Sequence, residues 1–132
     1  MNHVFVYGTL KRQQCRGNTW PRTPVEVRAA FTSGELYDLG TYPAMTAGED
    51  DVLGELWTFR SEDMPATLVV LDEIEGVSAG LYDRVRVECW LADAAKKAPT
   101  ISAYTYHYRQ SLSSVKKLHP RGFSVWPPPT RC

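Results

Sequence analysis

One stretch, residues 64–75, carries a sustained helical period, while the other patterned stretches alternate or run apolar as strands do. That contrast constrains the fold more than any other feature of the chain. On a 3.6-residue period Met64, Leu68 and Leu71 form one apolar stripe, with Val70 and Ile74 alongside. Ser61 or Asp63 is placed to cap the start, Glu62 and Asp63 suit the first turn, and Gly76 is placed to end the helix.

The predicted strands are 4–7, 31–36, 52–59, 82–90 and 101–108. The first is a short continuous apolar run closed by Gly8, the pattern of a strand buried on both faces. The second and third are expected to pair as a long hairpin, with Asp38-Leu39-Gly40 and Gly48-Glu49-Asp50-Asp51 as turn residues between them. Residues 82–90 alternate, with Val85, Val87 and Cys89 on one side and Arg84, Arg86 and Glu88 on the other. Residues 101–108 place Tyr104, Tyr106 and Tyr108 on one face. The connection holding Lys96 and Lys97 reads as an exposed turn. A chain of 132 residues is about one domain long. The expectation is an α+β domain over 1–119, followed by a Pro-rich extended tail over 120–132. In that tail Trp126 precedes Pro127-Pro128-Pro129, and the segment is expected to run over the surface.

Composition removes several functional classes. No apolar stretch approaches the ~20 residues that span a bilayer. Fifteen basic residues balance fifteen acidic ones, so the chain lacks the basic excess of a nucleic-acid binder, and Lys11, Arg12, Arg16, Arg22 and Arg28 read as a solvated face. Cys15, Cys89 and Cys132 are scattered and do not cluster with His3, His107 and His119, which supports neither a disulfide framework nor a metal site. The start of the sequence lacks the pattern of a secretory signal, and a cytoplasmic protein is expected. No Gly-x-Ser-x-Gly is present and no cysteine lies beside a histidine, so the chain offers no recognisable nucleophile of its own.

Two features could carry chemistry. Stepping four residues from Leu71 lands on Glu75, so a carboxylate continues the apolar face of the helix, whereas Glu73 projects toward water and Asp72 falls near the stripe's edge. Burial and the negative end of the helix dipole both disfavour ionised Glu75 and raise its pKa. Such a carboxyl either forms an ion pair, with Arg84 or Arg86 as partners, or exchanges protons near neutral pH. The second feature is Tyr7-Gly8-Thr9-Leu10, where the first strand stops. It fits a tight turn with Gly8 at positive φ, or a nest of backbone N–H groups able to hold a carboxylate or an oxyanion. It is neither a P-loop nor a dinucleotide fingerprint.

Taken in order, "VFVYGTLK" from Val4, "YP" at Tyr42-Pro43, "LDEIEG" from Leu71 to Gly76 and "YDR" at Tyr82 to Arg84 resemble the gamma-glutamylcyclotransferase-like superfamily, in its AIG2-like, gamma-glutamylamine cyclotransferase branch. The resemblance covers most of the chain up to about Tyr108. It implies a small mixed β-barrel flanked by helices, and an enzyme of acyltransferase or lyase type that needs no metal or cofactor. The substrate implied is a small-molecule gamma-glutamyl amide, which closes on itself to 5-oxoproline. It also implies that Glu75 is the general acid/base and that the loop of Tyr7, Gly8, Thr9 and Leu10 binds the glutamyl end. Tyr82 is a further candidate for lining the pocket, as is Tyr42. Relatives commonly carry a glycine and an asparagine soon after the loop, whereas Gln13-Gln14-Cys15-Arg16 delays Gly17-Asn18 here and reshapes the rim. The alternative is a non-catalytic module that uses the same cavity for a small anionic metabolite or a protein tail.

Overall fold

Alternation along the first strand decides which layer each residue joins. The structure, a computed structural model, describes residues 2–12, 14, 16–94, 99–115, 117–118 and 124–126. In β1 (His3–Val6) Phe5 packs, with Tyr7 just beyond the strand, among the residues that fill a barrel. Val4 and Val6 pack instead in a second cluster that includes Met64 and Leu71 of the helix. All four residues from Val4 to Tyr7 are buried, as the unbroken apolar run requires.

Five strands close the barrel in the order β1-β3-β2-β4-β5. β2 (Glu26–Asp38) and β3 (Pro43–Thr58) form the long hairpin, running antiparallel from Glu26 opposite Thr58 to Asp38 opposite Pro43. β4 (Tyr82–Leu91) pairs antiparallel with β2 and with β5 (Ile101–Tyr108). β1 then lies antiparallel to β3 and parallel to β5, where Val4 faces Tyr104, so the barrel is mixed. One α-helix, α1 (Met64–Ile74), follows a 3-10 turn over Ser61–Asp63. Where the resemblance implies flanking helices, α1 is the one α-helix among the described residues.

Neither predicted cap is made at the start of α1. The Ser61 hydroxyl accepts from the Asn2 amide, and the Asp63 carboxylate lies 3.6 Å from Arg22. The stop is as expected. Gly76 turns to φ +67°, Val77 N–H donates to the Asp72 carbonyl at 3.0 Å, and Gly76 N–H donates to that of Glu73 at 3.1 Å. That Schellman arrangement closes the helix immediately after Glu75, and only glycine adopts its φ without strain.

Two expectations fail here. Gly48-Glu49-Asp50-Asp51 is no turn: it lies inside β3, where the register jumps from Gly34 opposite Asp50 to Glu35 opposite Thr46. The extra residues form a bulge, and Gly48 is required because a Cβ there would come within 2.3 Å of the Glu35 side chain. Trp126 does not run over the surface. It is fully buried in the barrel core and donates its indole N–H to Asp38 at 3.1 Å. Ser124 bridges to Val52 beside it, and Leu53 N–H donates to the Ser124 carbonyl at 2.8 Å. The Lys96-Lys97 turn and Pro127-Pro128-Pro129 lie outside the described residues.

Candidate active site

The end of β1 and the end of α1 face one cavity of about 110 Å³. Tyr7, Gly8, Thr9, Leu10, Glu75 and Tyr82 all line it, so every candidate site residue read from the sequence meets in one place. Tyr42, which opens the Tyr-Pro pair, lines it as well.

The loop is held so that its carbonyls point into partners and its amides do not. Gly8 carbonyl accepts from Lys11 N–H at 3.1 Å, Thr9 carbonyl from Arg16 N–H at 2.7 Å, and Leu10 carbonyl from the Trp20 indole at 3.0 Å. Trp20 is fixed in turn by stacking on Trp57, ring centroids 4.1 Å apart, and on Phe59. Among the described residues no hydrogen bond uses the N–H of Gly8, Thr9 or Leu10. Three adjacent amides are therefore available in a cavity wall, an arrangement suited to a carboxylate or a developing oxyanion.

Gly8 earns its place differently from the sequence expectation, since its φ is not positive. A Cβ at Gly8 would lie 2.8 Å from two ring carbons of Pro43, so glycine is required by close approach. Pro43 is held from its other end by the Tyr82 hydroxyl, which donates to its carbonyl at 2.6 Å. The Tyr7 hydroxyl donates likewise to the Tyr106 carbonyl at 2.6 Å. Both phenols therefore line the cavity with their protons already engaged inside the protein. Burial, joined by the fields of Glu75 and of neighbouring tyrosines, keeps both well above the ordinary tyrosine pKa and neutral.

The acids at the end of α1 divide as the helical period foretells, with one correction. Arg84 pairs with Asp72 at 3.0 Å, not with Glu75, and Asp72 also accepts the Tyr106 hydroxyl at 2.7 Å. Among the described residues no salt bridge or hydrogen bond reaches the Glu75 carboxyl. Burial pushes its pKa from 4.5 up to about 7, against the smaller opposing pull of Arg16. A carboxyl half protonated at neutral pH can both accept and return a proton.

Residues 4–126 match the model of the family described as gamma-glutamyl cyclotransferase, AIG2-like. The chain belongs to that family. It is 30% identical over 117 residues to the gamma-glutamylcyclotransferase family protein YtfP of Escherichia coli, covering 87% of this chain and 89% of that one. It is 31% identical over 116 residues to the gamma-L-glutamyl-butirosin B gamma-glutamyl cyclotransferase of Niallia circulans, covering 83% and 69% of the two chains. The solution structure of E. coli ytfP superposes with a TM-score of 0.61 at 27% identity, over 94% of this chain and 95% of the other. Among the described residues no helix is long and apolar enough to cross a membrane.

Arg16 lines the cavity and was not singled out from the sequence, where it read as part of a solvated face. Its one sequence signal was its position inside the segment that delays Gly17-Asn18.

Proposed function

We infer that the protein is a gamma-glutamylcyclotransferase that converts a gamma-glutamyl amide into 5-oxoproline and a free amine. The substrate's α-amine attacks its own side-chain carbonyl, a carbon–nitrogen bond forms to close the five-membered ring, and the original amide bond breaks. Glu75 takes the proton from the attacking nitrogen and delivers it to the departing one. The N–H groups of Gly8, Thr9 and Leu10 hold the substrate's carboxylate or the developing oxyanion. Tyr7, Tyr42 and Tyr82 supply walls that fold the substrate into its attacking conformer. For an intramolecular reaction, that positioning supplies much of the acceleration.

The observation that carries this reading is Glu75: a carboxyl with its pKa raised to about 7, in the same cavity as three adjacent amides, none of them paired among the described residues. Kinship supports the substrate class, since the N. circulans relative is named for a gamma-glutamyl small molecule. The deciding experiment is a screen of gamma-glutamyl compounds for released 5-oxoproline, with Glu75→Gln run beside the wild type. Release by the wild type and not by the variant is the expected result. Binding without release from any compound would assign the cavity to a non-catalytic module.

A further inference from the structure

Among the described residues two charged side chains line the cavity, Glu75 and Arg16, and they differ in depth. Among the described residues every lining residue other than Arg16 is buried or half-buried, whereas Arg16 is exposed, which puts Arg16 at the mouth. Its backbone is fixed there: its N–H donates to the Thr9 carbonyl at 2.7 Å, and its carbonyl accepts the Thr19 N–H at 3.1 Å and hydroxyl at 2.7 Å. Among the described residues, no carboxylate lies within salt-bridge distance of the Arg16 guanidinium and no hydrogen bond engages it.

The Arg16 side chain, whose charge also pulls on Glu75, faces a particular part of the substrate from the mouth. On the cyclotransferase reading, the bond that breaks lies beside Glu75 and the glutamyl carboxylate is met by the loop amides. What reaches outward is then the amine being released. Guanidinium presents paired donors that match a carboxylate, and it repels a cationic group. We propose that Arg16 is a specificity-determining residue that selects gamma-glutamyl compounds whose leaving amine carries a carboxylate, over those whose amine is neutral or cationic. This rests on the cyclotransferase reading for the orientation of the substrate. Because Arg16 is solvent-exposed, the preference is modest, about tenfold, as for other rim charges.

The test compares gamma-glutamylglycine with gamma-glutamylglycinamide, which differ only in whether the leaving amine ends in a carboxylate or a neutral amide. kcat/KM for 5-oxoproline release and Kd by calorimetry are measured for both compounds on the wild type, Arg16→Gln, Arg16→Glu and Arg16→Lys. The wild type is expected to favour gamma-glutamylglycine by about tenfold, Arg16→Gln to bring the ratio near one through loss on that compound, Arg16→Glu to invert it, and Arg16→Lys to restore part of it. Turnover of both compounds at equal efficiency by the wild type overturns the role of Arg16 and leaves the cyclotransferase reading standing. An equal fall on both compounds in Arg16→Gln also overturns it, since Arg16 would then act through Glu75 or on the glutamyl part they share. A Kd preference that Arg16→Gln abolishes, with no turnover of either compound, upholds the rim site and overturns the cyclotransferase reading. Neither binding nor turnover overturns both.

Discussion

The Tyr106 hydroxyl donates to the Asp72 carboxylate at 2.7 Å, one helical turn before Glu75. With Arg84 on its other oxygen at 3.0 Å, Asp72 is a structural acid that ties α1 to the outer face of β4 and β5. Glu75, on the same helix end, has no such ties among the described residues and lines the cavity. The two carboxylates should therefore separate cleanly under mutation.

Glu75→Gln is expected to fold and to lose at least ~10²-fold in turnover, the scale of a missing general base. Asp72→Asn is expected to lose about 1–2 kcal/mol of stability, through weaker ties to Tyr106 and Arg84, with a much smaller loss of turnover. Parallel assays of 5-oxoproline release and urea unfolding check both. An inactive, fully folded Asp72→Asn beside an active Glu75→Gln would exchange their roles.

The raised pKa of Glu75 has a thermodynamic counterpart. Because the folded protein holds this proton up to about pH 7 and the unfolded chain releases it near 4.5, the contribution of Glu75 to stability is fully present below pH 4.5 and falls as pH rises through 7. Glutamine has no such titration. The stability of Glu75→Gln relative to wild type should thus rise by about 1–3 kcal/mol between pH 4.5 and 8. Denaturation at a series of pH values measures it, and a flat difference would mean that Glu75 titrates normally.

The nucleophile in the proposed reaction belongs to the substrate. A gamma-glutamyl amide with its α-amine acetylated should be inert at any concentration, while the free compound releases 5-oxoproline and not glutamate. Turnover of the free compound should also climb between pH 6 and 8 as Glu75 and the substrate ammonium give up their protons. N-acetylglutamate released from the blocked compound would point to hydrolysis by water.

Gly8→Ala drives a methyl group into the Pro43 ring, where contact would be 2.8 Å. The loop must move to relieve it, at about 1–3 kcal/mol, and its three amides move with it. kcat/KM should fall by more than the loss of stability accounts for. Unaltered kinetics in a destabilised variant would remove the amides from the mechanism.

Trp126→Ala empties a fully buried site in the barrel core and should destabilise the protein by about 3–5 kcal/mol. Trp126→Phe, which retains most of the volume and loses the bond to Asp38, should fall between the two. Urea unfolding of both reads out the depth at which Trp126 sits.

Local pattern sufficed wherever a residue's role follows from its own segment. The bounds 101–108 of β5, the stop at Gly76 and the inward turn of Glu75 all follow from periodicity and one cap. It failed where partners lie far off in sequence. Gly-Glu-Asp-Asp has turn chemistry, yet pairing with β2 pulls it into a bulged strand. Nothing near Gly8 indicates Pro43, nothing near Arg84 chooses Asp72 over Glu75, and a tryptophan before three prolines gives no hint of the barrel it fills. The candidate site was legible as residues because two short motifs mark it. Its mouth was not, because the charge of Arg16 acquires meaning only from the exposure of its neighbours.

The barrel closes where β1 pairs with β5, Val4 opposite Tyr104, nearly a whole chain apart. During synthesis, then, the Gly8 loop and Glu75 emerge long before the wall formed by Thr105 and Tyr106 exists to enclose them. A nascent chain carries both chemical halves of the site and no pocket, and β1 waits with an open edge until the last strand arrives. Closure of that kind makes folding slow and late, because its decisive contact spans the greatest sequence separation in the sheet.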